Sequence, residues 1–173
     1  MKNIFLFLAI LLFPVTVFAT TATTAAEPVQ YELPYPGMLP NNPLYVLKQV
    51  RDWMLDKLIT DPIKKTEFYI LQGDKRIGMG LMLSASGNGV LSEQIISKGE
   101  KYMNNAVQTL LTLKAQGKDV PAYITDHVTK SLAKHAELLT VEIEKTSDAA
   151  IQSGLTGSLN LVNTLQGELL KLK

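Results

Sequence analysis

Two Asx-Pro pairs, Asn42-Pro43 and Asp61-Pro62, constrain this chain more than any other feature in it. In each, the first side chain accepts from amides that a helix start leaves unpaired, and proline at the first helical position loses no donor the helix needs. The first helix must therefore end near Ile59. With so short a connection, the first and second helices are expected to pack as an antiparallel hairpin. Between the two starts, Leu44, Leu47, Met54, Leu55 and Leu58 recur at helical spacing and Val46, Val50 and Trp53 widen the stripe. That stripe is expected to face the core.

The same punctuation continues to the C-terminus. Ile63, Ile70, Ile77 and Leu81 mark the second helix, which fades into Ser84 to Gly89, where Gly87-Asn88-Gly89 reads as a loop. A third helix from about Leu91 carries Leu91, Ile95, Tyr102, Ala106, Leu110 and Leu113, with Gly117 placed as its C-terminal cap. Pro121 opens a fourth, with Ile124, Val128, Leu132 and Leu139 inward. Beyond it, either the fourth helix runs to Ser153 and breaks at Gly154 to Gly157, or it ends near Lys145 and a fifth begins with Ser147 or Asp148 as its cap. The stripe Ile151, Leu155, Leu159, Val162, Leu169 and Leu172 passes straight through the glycines and favours the second arrangement. A helical glycine costs about 1 kcal/mol relative to alanine, so Gly154 and Gly157 are expected to mark a close approach to a neighbouring helix. There is no strand alternation, no glycine-rich nucleotide-binding pattern and no solenoid repeat. The fold class is all-α, an antiparallel bundle of four to five helices after a signal peptide and an extended proline-rich leader.

The N-terminus carries the address. Met1-Lys2-Asn3 is a short basic start, Ile4 to Phe13 an apolar run broken at Pro14, and Val17-Phe18-Ala19 supplies small residues three before and immediately before a cleavage point. Residues 1–19 read as a secretory signal peptide cleaved near Ala19. The competing reading, a retained anchor, has too short an apolar run against the roughly 20 residues needed to span a bilayer. The organisation expected is a signal peptide at 1–19, a flexible leader at 20–33 and one helical domain at 34–173, exported to the periplasm or the extracellular space without a transmembrane span in the mature chain. There is no cysteine, which removes disulfides, thiolate metal sites and a cysteine nucleophile. Lys and Arg number 17 against 16 Asp and Glu; removing residues 1–19 takes away Lys2 and no acid, leaving 16 against 16. A neutral surface lacks the counterion-release term behind non-specific nucleic-acid binding, so no nucleic-acid partner is expected.

One constellation stands out on the helical wheels. Glu67 and Asp74 fall among Ile63, Ile70, Ile77 and Leu81, at the centre of an apolar stripe. His135 and Glu142 fall in the same way among Leu132, Leu138, Leu139 and Ile143. Each pair is spaced i, i+7, so neighbouring helices would bring three carboxylates and an imidazole together in the core. One reading is a satisfied polar network, with Arg51, Lys98 or Tyr102 as further partners, because burying such charges unpaired costs several kcal/mol. The other is a metal site formed by Glu67, Asp74, His135 and Glu142, since bundle cores build carboxylate and histidine sites from facing helices. Against the metal stands the absence of any Glu-x-x-His. His127 lies nearer the stripe edge and is expected to be exposed or half-buried. Trp53 and the tyrosines read as core or leader-packing residues. Met79, Met82 and Met103 read as gap fillers, with an adaptable groove as the alternative.

The stretch Pro36-Gly37-Met38-Leu39-Pro40-Asn41-Asn42-Pro43-Leu44-Tyr45-Val46-Leu47-Lys48 resembles the Pro-Gly-x-Leu-Pro-x-x-Pro-x-Tyr-x-Leu-Lys opening of a bacterial family of exported helical domains of unknown function. Some of its members are membrane-tethered and some resemble the outer parts of anti-sigma factors. Asp61 to Phe68, Asp74-Lys75-Arg76 and Lys134 to Leu139 are similar to its later segments, so the resemblance spans roughly Pro34 to Glu142. It departs at Gly73, Gly78 and Gly80, where the family shows a more charged helix. The resemblance implies a helical, extracytoplasmic fold and brings no activity with it.

No Gly-x-Ser-x-Gly turn or Ser-x-x-Lys context raises a nucleophile, and nothing specifies a cofactor. The expectation is a non-enzymatic interaction or structural module of the cell envelope with a protein partner, or alternatively a metal- or small-ligand-binding bundle. The expected partner surface is the groove beside the first hairpin, with the leader packing back across it because helix-start chemistry does not require Pro36-Gly37 or Tyr45.

Overall fold

A computed structural model of the protein describes residues 27–172. The signal-peptide expectation lies outside the described residues. Five α-helices follow the leader: α1 Tyr45–Leu58, α2 Pro62–Ala85, α3 Gly89–Ala115, α4 Ala122–Lys145 and α5 Ala149–Leu169. No helix among the described residues is long and apolar enough to cross a membrane.

The local signals act as their chemistry dictates. Asp61 accepts from the Lys64 amide at 2.8 Å with Pro62 in the first turn, and Asp148 accepts from the amides of Ala150 and Ile151, so the fifth helix starts at the second of its two expected places. Asn42 accepts from the Leu44 amide at 2.9 Å, although regular helix begins only at Tyr45. Gly117, at φ +70°, closes α3 while the Lys118 amide bonds back to the Leu113 carbonyl.

Four helices form the bundle, each packed on two neighbours in the cyclic order α2, α3, α5, α4. The sequential pairs α2/α3 and α4/α5 are antiparallel hairpins. The other two pairs are parallel: Ser97 meets Ser158 and Gln108 meets Glu168 along α3/α5, while Glu67 meets Tyr123 and Ser84 meets Glu142 along α2/α4. Ile70, Ile77, Met103, Leu110, Leu132, Leu139, Leu155 and Leu165 fill the centre and are essentially inaccessible. Met79 and Met103 act as gap fillers, whereas Met82 is exposed.

The tightest contact is α2 on α3, and small residues make it. A Cβ on Gly80 would lie 2.3 Å from Ile96 Cγ1, one on Gly73 would lie 2.6 Å from Met103 Sδ, and one on Gly99 would lie 3.0 Å from Arg76 Cβ. Gly73 and Gly80 thus stand against Gly99 and Ser92 at matching two-turn intervals, and Ser92 Oγ donates to the Gly80 carbonyl at 2.8 Å. Gly154 likewise admits Glu93, but a Cβ on Gly157 would meet nothing within 4 Å, so the expected close approach holds at one of the two α5 glycines.

Two expectations are corrected. First, α1 does not form an apolar hairpin with α2. Only Tyr45 and Asp52 of α1 are buried, while Leu47, Trp53 and Leu58 are 68%, 63% and 70% exposed and Val46, Val50 and Met54 are exposed with them. Tyr45 anchors the helix by packing with Met79, Leu83 and Ile95. The rest of its inner side is polar: Lys48 and Arg51 hold Asp52, Lys65 holds Asp56, and both acids line a cleft whose other wall carries Arg76, Lys98 and Lys101. Second, the docked segment begins before Pro34. The Val29 amide donates to Glu137 at 2.7 Å, Tyr31 reaches Asp74, and Leu33 joins the core, so the leader lies on α2 and α4 rather than across α1. Gly78 leaves room there for Pro36, whose Cβ would be 3.4 Å from an added methyl.

These packing distances set opposite signs for two alanine substitutions. Gly80→Ala is expected to destabilise by about 1–3 kcal/mol, because β-branched Ile96 cannot swing clear. Gly157→Ala is expected to stabilise by up to about 1 kcal/mol. Urea denaturation of both variants checks the pair, and equal effects would contradict the close α2/α3 seam.

Candidate functional site

His135 occupies a leucine-like position on α4 and is wholly buried. Its Nδ1 donates to Glu100 Oε1 of α3 at 3.0 Å and its Nε2 donates to Asp74 Oδ1 of α2 at 3.0 Å. Burial pushes the imidazole down, but the charge of Glu100 and the hydrogen bonds to both carboxylates outweigh it and lift the pKa from 6.5 to about 9. At neutral pH the ring is therefore an imidazolium with two protons to give. Asp74 also accepts from Ser131 Oγ at 2.6 Å and from the Tyr31 hydroxyl at 2.5 Å. Tyr31 has one proton, which goes to Asp74, so the 3.0 Å contact with His127 Nε2 has the histidine donating to the phenol oxygen. Burial, and then the bond to Asp74, push the Tyr31 hydroxyl well above its ordinary value. One cation thus joins α2, α3 and α4, and one of its carboxylates holds the leader.

This arrangement ties three helices and the leader together. Both ring nitrogens are engaged by carboxylates, each at 3.0 Å. His135 and Glu100 are fully inaccessible and Asp74 is nearly so. Among the described residues, no group of three His, Asp or Glu side chains is arranged to hold a metal ion.

Of the four residues expected to converge, only Asp74 and His135 meet. Glu67 accepts from the Tyr123 hydroxyl at 2.9 Å, and Glu142 accepts from Ser84 Oγ with Lys145 Nζ 3.9 Å away. The reason is the parallel course of α2 and α4. Residues i, i+7 on one helix lie about 10 Å apart along its axis, so the polar pairs occupy three successive levels of one seam. The expected partners are corrected as well. Arg51 pairs with Asp52 at 2.7 Å, Tyr102 stacks under Arg76 at 4.2 Å, and Lys98 lines the cleft beneath α1. The partner that sequence reasoning passed over is Glu100. It lies between Ile96 and Met103, on a stripe with Val107 and Leu110, one residue's rotation away from the stripe drawn through Leu91, Ile95 and Tyr102. His127 is half-buried, at the stripe edge as expected, and its bond to Tyr31 was not foreseen.

A second polar region separates α1 from the bundle. The cleft there, about 390 Å³, is lined by Asp52 and Asp56 on one side and by Arg76, Lys98 and Lys101 on the other. Lys65 Nζ donates to the Asp56 carbonyl at 2.7 Å and lies 3.6 Å from its carboxylate, fixing the far end of α1. Burial pushes the Lys48 ammonium down, against the opposing pull of Asp52. Trp53, read from sequence as a core or leader-packing residue, borders this cleft and is 63% exposed.

No protein-family model, curated protein or solved structure matches the chain.

The clasp has a pH signature. Because the folded pKa of His135 is raised, its contribution is complete below about pH 6.5 and is lost as pH rises through about 9. Stability is expected to fall by on the order of 3 kcal/mol across that window. His135→Gln is expected to flatten that part of the profile, as read by urea denaturation at a series of pH values. A wild-type profile as flat as the variant's contradicts the charged clasp. Tyr31→Phe leaves one Asp74 oxygen unpaired and is expected to cost about 1–3 kcal/mol, with faster hydrogen exchange at the Val29 amide.

Proposed function

We propose that this chain is a non-enzymatic, exported helical domain that serves the cell envelope as an interaction or structural module. The observation that carries the reading is the outward face of α1: Leu47, Val50, Trp53, Met54 and Leu58 are exposed on one helix whose acids are withdrawn from that face. Scattered exposed apolar residues need no explanation, but a contiguous set on one element marks a contact surface. The closed clasp at His135 supports the non-enzymatic part, since its donors are spent on holding three helices and the leader. The export part rests on the N-terminal pattern of Met1 to Ala19.

Fractionation of cells expressing the full chain tests the reading. Wild-type protein is expected to sediment with the envelope, and Leu47→Ser combined with Met54→Ser is expected to release it to the soluble fraction. Since both side chains are exposed, the melting temperature should change little. Identical partitioning of the two proteins would overturn the module reading.

A further inference from the structure

The helical wheel of α1 keeps its acids away from its apolar side. At 100° per residue, Tyr45, Lys48, Asp52 and Asp56 occupy the inner arc. The outer arc runs from Trp53 through Val46, Val50, Met54, Leu47 and Leu58 to Leu55. Every one of those outer residues is at least 37% exposed. Arg51 and Lys57 are the charged residues in that arc, and both are cationic. The two acids of α1 are withdrawn: Asp52 is 3% exposed and Asp56 28%, the first held by Lys48 and Arg51, the second by Lys65.

We propose that the outer face of α1 lies in the interfacial plane of an anionic lipid bilayer, with Trp53 at headgroup depth and Arg51 and Lys57 against the lipid phosphates. This deepens the module reading above and rests on it. A surface helix with a wide apolar arc, a tryptophan and only positive charge beside it has the composition of an interfacial helix. Anionic headgroups attract each nearby lysine or arginine, and acids in the same arc would oppose that attraction. A second copy fits less well. Two such faces brought together would oppose Arg51 and Lys57 to their own equivalents, whereas anionic headgroups pair with both.

The chain contains one tryptophan, and it is on this face, so its fluorescence reports on α1 alone. Full-length protein is titrated with vesicles of phosphatidylcholine containing phosphatidylglycerol, and with vesicles of phosphatidylcholine only. On anionic vesicles, Trp53 emission is expected to shift to the blue and to be quenched by brominated acyl chains. Affinity for the zwitterionic vesicles is expected to be at least ~10-fold weaker. Leu47→Ser with Met54→Ser should abolish the shift, and Lys57→Glu should weaken binding to the anionic vesicles by a similar factor. Attachment through residues 4–13 would leave Trp53 unshifted, because no tryptophan lies there. Unshifted emission on anionic vesicles overturns the lipid inference. If the envelope retention described above still depends on Leu47 and Met54, the module reading then survives with a protein partner; if it does not, both fall. A lipid-free blue shift that grows with protein concentration, with a dimer in sedimentation, overturns the lipid inference in favour of a second copy.

Discussion

The bundle depends on a buried cation held between two carboxylates. His135 could not be buried as an imidazolium without Asp74 and Glu100, and the carboxylates could not be buried without it. Because the three residues come from α4, α2 and α3, the electrostatic requirement becomes a positional one: the helices must stand in one register for any of the charges to be satisfied. Apolar packing alone tolerates sliding by a turn far better than a pair of 3.0 Å ion pairs does. The clasp therefore specifies the arrangement that the leucines and isoleucines stabilise. Asp74 extends the same logic to the leader through Tyr31, so the extended segment is held by a core charge rather than by surface adhesion.

Much of this was legible in residue order. Helix starts at Pro62 and after Asp148 follow from cap chemistry that needs no tertiary information, and Gly117 ends α3 because only glycine takes its backbone angle cheaply. His135 and Asp74 were visible as polar side chains standing where leucine belongs. Glu100 was not, because two adjacent stripes on α3 are both apolar and only the packing partner decides which one is the centre. Glu67 and Glu142 looked like members of the cluster because a wheel projects a helix onto a disc and discards height along its axis.

The misreading of α1 has a different cause. Periodicity shows that a helix has an apolar side, but it carries no information about what that side faces. The neighbouring surface of α2 and α3 is cationic, with Arg76, Lys98 and Lys101. Asp52 and Asp56 on the polar side of α1 line the cleft opposite it, and the apolar side is left outward. Sequence rules that equate apolar with inward assume that the core is the only available apolar environment.

The cyclic helix order carries a consequence for how the chain reaches this state. Each antiparallel hairpin, α2/α3 and α4/α5, closes through a turn of three residues, so its contacts are local and cheap in loop entropy. The 116–121 connection crosses between helices that are not neighbours in the ring, and the His135 bonds span 35 and 61 residues. The hairpins thus close at the lowest loop-entropy cost, and the ordering cost of the long-range seams falls on the contacts that join the two hairpins, the His135 clasp among them.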